Sequence, residues 1–267
     1  VDMICSTYAL LECDPPAGVR QRFRGWIEQQ PRLPGVDVSV VRSGAQTVRR
    51  TRSAIAEDPE DCFIISAQTR GRGLISQDGR QALIHGGDFC VYHSTRPYTL
   101  AFEREFEEVV LKVPGDALRA LVRDVESLTA TTVSGRGVPG RLLHSMLRTL
   151  RQETAPLPSA SATLIGQSLL STIAAGLQTV RTTAAPEPST LKAYHLERIR
   201  RCIDEHLADP SLTIEAVAHR VGLSTAHLHR LHATEAYSAS QYLWRRRLEQ
   251  CSRDLLGNIC KTRITPT

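Results

Sequence analysis

The feature that most constrains the fold is a run of helix-boundary residues near the C-terminal end, around AVAHRVGLSTAHLHRL at 216–231. Thr213 and Ser224 are residue types that cap the N-terminus of a helix by accepting a backbone N–H bond. Between them, Gly222 can adopt the left-handed backbone conformation that ends a helix. The stretch therefore predicts two short helices joined by a tight turn.

A further helix is predicted on each side of this pair. Ser238 followed by Gln241 is the pattern of a capping box, in which each side chain accepts a backbone N–H bond from the other residue. Upstream, the segment YHLERIRRCIDEHL carries apolar residues on one helical face, at Leu196, Ile199, Ile203 and Leu207. Residues 191–256 are thus expected to form an all-α unit of four helices.

The second helix of the pair has a composition that suits DNA recognition. Leu228 and Leu231 are expected to face the core, and the opposite face carries Thr225, Ala226, His229, Arg230 and Ala233. Small residues together with histidine and arginine, and without an acidic residue, fit the major groove. From spacing alone, a plain helical hairpin with a solvated outer face remains the alternative.

Charge is distributed in a way that agrees with nucleic-acid binding. Residues 191–267 contain 12 Lys and Arg against 8 Asp and Glu, a net charge of +4, together with six of the nine histidines. Residues 1–190 contain 21 basic against 20 acidic residues, a net charge of +1. An excess of this size also occurs on ordinary protein surfaces, so it supports a nucleic-acid-binding unit without establishing one.

The preceding part of the chain changes from strand patterns to helix patterns, which predicts an α+β protein. Residues 36–114 contain short β-branched runs, and Asp78-Gly79 between two of them signals a tight hairpin, so we expect a sandwich or small β-barrel. Residues 115–182 show apolar spacings of three and four, typical of helices. The polar, proline-containing segment 183–190 is the predicted linker.

No segment of the sequence indicates export or membrane insertion. There is no run of 18 apolar residues, and the N-terminal VDMICSTYALLECDPP lacks the basic start and long apolar centre of a signal peptide. The seven cysteines are scattered without a Cys-x-x-Cys pair, which favours reduced thiols. We therefore expect a cytoplasmic protein with no membrane partner.

The capped helices described above resemble the first helix-turn-helix of the AraC/XylS transcription regulators. The resemblance runs from Leu196 to Leu256, and its matching elements are Ala218, Gly222-x-Ser224, Leu228-x-Arg230, and Tyr242-Leu243 through Arg247-Leu248. Upstream, HGGDFCVYHSTRPYTLAF and VVLKVPGDAL are more loosely similar to the cupin-type sensing domain often found in this family. Together these resemblances imply a regulator that binds DNA and responds to a small-molecule effector.

The resemblance also implies roles for individual residues. The second helix of the pair would enter the major groove, with Arg230 able to bind guanine bidentately and His229 able to make one hydrogen bond. Arg245 and Arg246 would bind phosphates, with simple solvation as the alternative for both. The predicted DNA-binding residues are Thr225, Ala226, His229, Arg230, Arg245 and Arg246.

The sequence departs from the family pattern in three places. Position 232 is His, expected to be neutral and partly exposed, where an aromatic residue is usual, and position 236 is Ala where Gly is usual. The family also carries a second helix-turn-helix, whereas eleven residues, GNICKTRITPT at 257–267, follow Leu256 here. We expect this tail to be irregular and the DNA-binding unit to be truncated, with weak and strongly salt-dependent DNA binding as the consequence.

The first domain, residues 1–182, is expected to sense the effector and to form a homodimer through its helices. The predicted effector pocket is an apolar barrel interior, with a filled core as the alternative. Its expected lining is Phe63, Ile65, Leu74, Phe89, Val91 and Phe102. A chain that no longer binds DNA but still binds effector, or forms mixed dimers with a full-length relative, is a second hypothesis.

A cupin-type metalloenzyme is a third hypothesis, and the sequence argues against it. His85 and His93 are eight residues apart, and the strand HGGDFCVYH contains no His-x-His pair, so no metal site is expected. No nucleophile with a partnering base can be recognised. We expect no catalytic residues and no cofactor.

Overall fold

The structure, a computed structural model, describes residues 11–14, 25–30, 33–152, 157–182 and 188–262. It separates into two compact units, Val1–Pro186 and Glu187–Thr267. We call them the N-terminal unit and the C-terminal unit and describe each by itself. The boundary falls within the expected linker 183–190, of which residues 183–187 lie outside the described residues.

The N-terminal unit is built on two five-stranded antiparallel sheets. Its strands are β1 (Glu12–Asp14), β2 (Gly25–Gln29), β3 (Asp37–Ser43), β4 (Gln46–Arg50), β5 (Cys62–Arg70), β6 (Arg72–Gln77), β7 (Arg80–His85), β8 (Phe89–His93), β9 (Tyr98–Phe102) and β10 (Phe106–Pro114). The first sheet has the order β1-β4-β9-β6-β7, and the second has the order β2-β3-β10-β5-β8. Apart from the pairs β2–β3 and β6–β7, consecutive strands lie in opposite sheets, and this two-sheet arrangement confirms the expected cupin-like sandwich.

The hairpin expected at Asp78-Gly79 joins β6 to β7. Both residues have positive φ angles, 50° at Asp78 and 74° at Gly79, and the flanking Gln77 and Arg80 are paired across the turn. Positive φ at both central residues gives a turn whose twist matches that of the strands. The hairpin prediction is therefore confirmed.

Alternation along the strands divides the apolar side chains between two cores. On β10, Phe106 and Val110 belong to the cluster between the two sheets, whereas Val109 and Leu111 belong to a second cluster. The second cluster lies between the outer face of the second sheet and the helices that follow it. A strand covered on both faces has no polar side, so its apolar residues occur in continuous runs.

Helices cover the outer face of the second sheet. They are α2 (Gly115–Leu121), a 3₁₀ helix (Val125–Leu128), α3 (Val138–Gln152) and α4 (Ser159–Thr182). The segment Ser159–Arg181 is long and apolar enough to cross a membrane by length and composition alone. In the structure, Leu169, Ile173 and Leu177 of α4 are fully buried in the cluster against the second sheet, as in the core helix of a folded domain.

The first strand was expected near residue 36, and three elements of the structure were not expected. Strands β1 and β2 precede that position, and a short helix, α1 (Arg52–Glu57), lies between β4 and β5. Strand β1 is only three residues long, which is too short to show an alternating pattern. Both unpredicted strands lie at a sheet edge, where pairing with one neighbour rather than side-chain pattern defines them.

The described residues of the C-terminal unit, 188–262, form four helices, and the expected caps define three of them. The helices are α5 (Pro188–Glu205), α6 (Ile214–Arg220), α7 (Thr225–His232) and α8 (Ala239–Thr262). Thr213 Oγ1 accepts from the Ala216 N–H at 3.2 Å, and Ser224 Oγ accepts from the His227 N–H at 3.2 Å. The capping box at the start of α8 is confirmed, because Ser238 N–H donates to Gln241 Oε1 at 2.9 Å and Gln241 N–H donates to Ser238 Oγ at 3.2 Å.

The turn between α6 and α7 depends on Gly222, whose φ angle is +66°. This left-handed conformation strains any residue with a Cβ, and it lets the following Leu223 N–H bond back to the Ala218 carbonyl at 2.9 Å. The turn brings α7 onto a core that contains Ile199, Val217 and Leu228. Helices α6 and α7 therefore form the predicted pair of short helices joined by a tight turn.

Two expectations about helix ends need correction. Helix α5 begins at Pro188, inside the segment 183–190 expected to be linker, because proline is well tolerated in a first helical turn, where its missing N–H has no partner. Helix α8 continues to Thr262, whereas we expected residues 257–267 to be irregular. Extending an existing helix costs far less than starting one, so the lack of an apolar pattern did not end it. Residues 263–267 lie outside the described residues.

Candidate functional site

Helix α7 presents one face to the core of the C-terminal unit and the other to solvent. Leu228 and Leu231 are buried. Ala226, His229 and Arg230 are exposed, and Thr225, the first residue of the helix, is half-buried. The four residues predicted to contact DNA on α7 therefore lie together on its accessible side.

Arg230 is available for an external partner. Its charged side chain is exposed, and among the residues that the structure describes none forms a side-chain hydrogen bond or ion pair with it. His229 and Ala226 are exposed on the same helix, one and four residues away. An unpaired arginine beside a small residue and a histidine gives α7 a positively charged, sterically open outer face.

The two arginines predicted to bind phosphate are engaged within the C-terminal unit. Arg245 Nε donates to Glu249 Oε1 at 2.9 Å, and its guanidinium lies 4.9 Å from the ring centre of Tyr237. Arg246 donates to Asp204 Oδ1 and to Glu249 Oε2, both at 2.7 Å. Neither arginine is as free as Arg230, and phosphate binding by either would have to compete with these carboxylates.

His232 lies in the small core rather than partly exposed as we expected. The side chain is 5% exposed because α7 turns it toward the same interior as Leu228 and Leu231. Nδ1 donates to the Leu228 carbonyl at 3.1 Å, and the buried Nε2 has no hydrogen-bond partner among the residues that the structure describes. Burial is the main cause of a pKa for His232 below its ordinary value.

The six residues predicted to line one effector pocket do not share one space. Of them, Phe102 faces the interior between the sheets, and Phe63, Ile65, Phe89 and Val91 lie in the cluster beneath the helices. Leu74 is buried, but it alternates with the inward-facing Ile75 and so lies on the opposite face of β6. Adjacent residues on a strand point to opposite faces of the sheet, so an assignment that is wrong by one residue exchanges the two faces. This is why residues predicted to line one pocket lie on different faces.

The interior between the sheets contains a small cavity of about 40 Å³. Its walls are largely apolar and aromatic, and its lining includes Tyr92, Tyr98, Leu100, Phe102, Phe106 and Val110. Two polar side chains, Gln46 and Glu108, also line it. Neither residue could be recognised from the sequence, since the inward direction of both side chains follows only from the observed faces of β4 and β10.

Glu108 is the most unusual ionisable group in this interior. The residue is 3% exposed, and the Ser66 hydroxyl donates a hydrogen bond to its carboxylate. Burial raises the pKa of Glu108 to about 7, and the bond from Ser66 offsets only part of that effect. Among the described residues, no Lys, Arg or His forms an ion pair with Glu108, so the carboxylate is available to a ligand.

An open groove of about 480 Å³ lies elsewhere on the N-terminal unit, between α3 and the second sheet. Its charged lining is basic and includes Arg141, His144, Arg148 and Arg151. Arg151 is paired with Glu107 at 2.8 Å, and burial lowers the pKa of His144. This groove suits anions, in contrast to the sandwich interior with its carboxylate.

One histidine and carboxylate pair in the N-terminal unit has the geometry of a structural junction. His93 Nε2 lies 2.7 Å from Asp61 Oδ1, and Arg119 donates to both oxygens of the same carboxylate at 2.7 and 3.2 Å. Arg119, and then His93, holds the pKa of Asp61 near 2. Because Arg119 also binds Glu126 at 2.7 Å, these groups connect β5 and β8 to the helices that follow β10.

The described residues offer no cluster of three His, Cys, Asp or Glu side chains that could hold a metal ion. His85 is exposed beside Asp88, with 3.7 Å between Nδ1 and the carboxylate, whereas His93 is buried against Asp61. The two histidines considered for a metal site therefore have separate partners.

Comparison with known sequences points to one family. The model of the AraC-binding-like domain matches residues 2–178. A protein of Bacillus sp. (strain OxB-1), described as an uncharacterized protein in the nit 5' region, is 32% identical over 226 residues, which are 84% of this chain and 86% of that protein. The transcriptional activator NphR of Rhodococcus sp. is 26% identical over 221 residues, which are 82% of this chain and 66% of NphR.

Comparison with solved structures gives the same fold. The crystal structure of the AraC-like transcriptional activator CuxR matches with a TM-score of 0.57, at 20% sequence identity, over 91% of this chain and 86% of CuxR. At this level of identity the match concerns the fold alone. It includes both the sandwich and the helical C-terminal part, because it extends over nearly the whole chain.

Proposed function

The chain belongs to the AraC family of transcription regulators, with an AraC-binding-like domain at residues 2–178, and from this premise we propose how it works. It binds DNA sequence-specifically through helix α7, and a small molecule bound in the N-terminal unit regulates that binding. Its relative NphR is described as a transcriptional activator, and the family model that matches this chain is that of an AraC-binding-like domain. We propose below which residues bind DNA and which bind the effector.

The observation that carries the DNA-binding proposal is the unpaired Arg230 on the exposed face of a capped helix-turn-helix. A guanidinium can donate two parallel bonds to the O6 and N7 atoms of guanine, and it is free to do so here. His229 provides one more hydrogen bond, and Ala226 lets the helix approach the base edges closely. Thr225 lies at the helix N-terminus, where backbone N–H groups favour a phosphate.

Arg245 and Arg246 are proposed as secondary phosphate contacts. Both guanidinium groups are less available to DNA than that of Arg230, because each already pairs with Glu249 and Arg246 also pairs with Asp204. Exposed ion pairs of this kind are weak, so a phosphate can replace a carboxylate at little cost. These contacts would fix the position of the protein on DNA without reading its sequence.

The effector is proposed to bind between the two sheets, where Glu108 and Gln46 line the cavity. Ligand pockets for organic molecules usually have volumes of about 300–1,000 Å³. The free volume here is about 40 Å³. The effector is therefore small, and the interior side chains move apart when it binds.

We also propose that the chain is a homodimer assembled through its N-terminal unit. The helices that follow the sandwich carry large apolar side chains that are more than half exposed, among them Val138, Leu142 and Leu164. Exposed apolar surface of this kind is common at protein interfaces. Sedimentation of the chain at several concentrations tests this, and a monomer throughout would contradict it.

A regulator of transcription works where the DNA is, and we propose a cytoplasmic location for that reason. We propose no enzymatic activity and no cofactor. Its relative NphR is described as a transcriptional activator, and the carboxylate of Asp61, which pairs with the buried His93, is occupied by Arg119. Stoichiometric iron, zinc or manganese in the purified protein would favour a cupin-type enzyme instead.

DNA binding is tested by fluorescence anisotropy with the full chain. Two labelled duplexes of equal length are used, one from upstream of its own gene and one with the same bases shuffled, at several salt concentrations. We expect the upstream duplex to bind at least about tenfold more tightly, the discrimination that one good bidentate contact provides. Equal affinity for both duplexes at every salt concentration would contradict the proposal.

A further inference from the structure

The interior between the sheets has a polar part among its apolar side chains. Gln46, Ser66, Gln68 and Glu108 all have inward-facing side chains that are at least 97% buried. Glu108 and Gln68 are directly paired residues on β10 and β5, which places their side chains next to each other on the inner face of the second sheet. Burying polar groups is unfavourable unless they form hydrogen bonds.

Two hydrogen-bond acceptors in this polar part have no partner among the described residues. The buried Oε1 atoms of Gln46 and Gln68 have no hydrogen-bond partner in the described structure. The Gln68 amide is held in its orientation because its Nε2 donates to the Arg70 carbonyl at 2.7 Å, so its oxygen remains an acceptor. The Gln46 amide has no such bond among the described residues and can turn to accept or donate as a ligand requires.

Glu108 adds a carboxylate to these acceptors. Its one described donor is the Ser66 hydroxyl, and no Lys, Arg or His in the described parts of the chain forms an ion pair with it. A buried carboxylate without a cation is costly, and a donor supplied from outside would reduce that cost. A carboxylate on the ligand would be repelled at the same place.

The rest of the cavity lining determines the size and the apolar character of the part of the ligand that does not contact Glu108. Tyr92, Tyr98, Phe102 and Phe106 form an aromatic wall, and the rings of Phe102 and Phe106 stack with their centres 3.5 Å apart. Aromatic walls accept apolar frames and also attract cations. A dry cavity of about 150 Å³ is enough for benzene, whereas this one has about 40 Å³, so a single ring already requires side chains to move.

We propose that the sandwich interior recognises a small apolar molecule through a hydrogen-bond donor, either a hydroxyl or a protonated amine, that binds Glu108, and that it excludes carboxylates. The inference rests on the proposed function only in placing the effector between the sheets. It adds the chemical class of the effector and identifies Glu108 as the residue that determines specificity.

The test compares ligands that share a frame and differ in one group. Thermal shift and calorimetric titration of the full chain are carried out with benzyl alcohol, benzylamine, benzoate and toluene, and with butanol, butylamine and butyrate as smaller frames. At a pH above the Glu108 pKa of about 7, at least one alcohol or amine should stabilise the chain, and the carboxylates and toluene should not. Which of the two donors binds more tightly distinguishes an alcohol effector from an amine.

Variants assign the effect to the interior. Glu108→Gln should weaken binding of the amine by at least about tenfold, because a hydrogen bond to a charged group is lost. Glu107→Gln is the matched control, since Glu107 is the adjacent residue on the opposite face of β10 and pairs with Arg42 and Arg151. If Glu108→Gln does not fold, Gln46→Leu serves instead and should also weaken donor binding, since it removes a second polar group from the cavity.

Several outcomes would overturn the inference. They are the absence of binding by every alcohol and amine, equal binding of toluene or a carboxylate, and donor binding unchanged in Glu108→Gln. Carboxylate binding that Arg148→Ala abolishes would assign the ligand to the basic groove beside α3 instead. DNA discrimination is measured separately without ligand, so its presence together with any of these outcomes leaves the proposed DNA-binding function intact.

Discussion

Arg246 Nε lies 2.7 Å from Asp204 Oδ1, and this ion pair joins α8 to α5 across the C-terminal unit. A second ion pair, to Glu249, uses the other side of the same guanidinium at 2.7 Å. An arginine that we expected to serve DNA phosphates is thus also part of the internal structure of this unit. The two roles have different experimental consequences.

Replacing Arg246 with alanine should therefore lower the stability of the C-terminal unit. The pairs are partly exposed, so the expected loss is about 0.5–1 kcal/mol in the free energy of unfolding. The chain has two tryptophans, Trp26 in β2 and Trp244 in α8, so a Trp26→Phe background reports the C-terminal unit alone in urea unfolding. Unchanged stability, together with a reduced salt dependence of DNA binding, would instead assign Arg246 to phosphates.

Glu108 should make the stability of the N-terminal unit fall as the pH rises. Its pKa is raised from 4.5 to about 7, so between these values the folded state holds a proton that the unfolded state has lost. The contribution is fully present below pH 4.5 and is lost as the pH rises through about 7. Urea unfolding against pH in a Trp244→Phe background should show this decline in the parent and not in Glu108→Gln. The same decline in both proteins would contradict the assignment.

His232 should have the opposite pH effect on the C-terminal unit. Its pKa is lowered from 6.5 by burial, so stability is complete above pH 6.5 and is lost as the pH falls below it. His232→Phe removes both this dependence and a buried nitrogen without a partner, and should raise stability by about 1 kcal/mol. Unfolding followed by Trp244 fluorescence tests this, with His229→Ala as the control for an exposed histidine on the same helix. A His232→Phe variant that is less stable than the parent would show that the space around position 232 is too small for the phenyl ring.

Helix boundaries in the C-terminal unit could be predicted because their signals are local. Thr213, Ser224 and Ser238 each cap a backbone N–H only three residues away, and the conformation of Gly222 depends on a single residue. Such interactions do not depend on the rest of the fold. The beginning of α5 and the end of α8 carry no comparable signal, and there the predicted boundaries were wrong.

The direction of side chains in the sandwich could not be predicted in the same way. Phe63, Ile64 and Ile65 are consecutive apolar residues on a strand buried on both faces, so the sequence contains no alternation from which to assign them. Their faces are set by pairing with β8 and β10, which are distant in sequence. For the same reason Glu108 could be recognised as an inward-facing residue only after Phe106 and Val110 had been placed.

The central claim is that α7 reads DNA, and Arg230→Ala tests it most directly. Binding of the upstream and shuffled duplexes is measured by anisotropy for the parent chain, for Arg230→Ala, and for Arg104→Ala, which removes one exposed positive charge from the N-terminal unit. We predict that Arg230→Ala lowers the preference for the upstream duplex by about tenfold or more, the equivalent of 1–3 kcal/mol for a bidentate base contact, while Arg104→Ala preserves it. A preference in Arg230→Ala equal to that of Arg104→Ala would contradict the account.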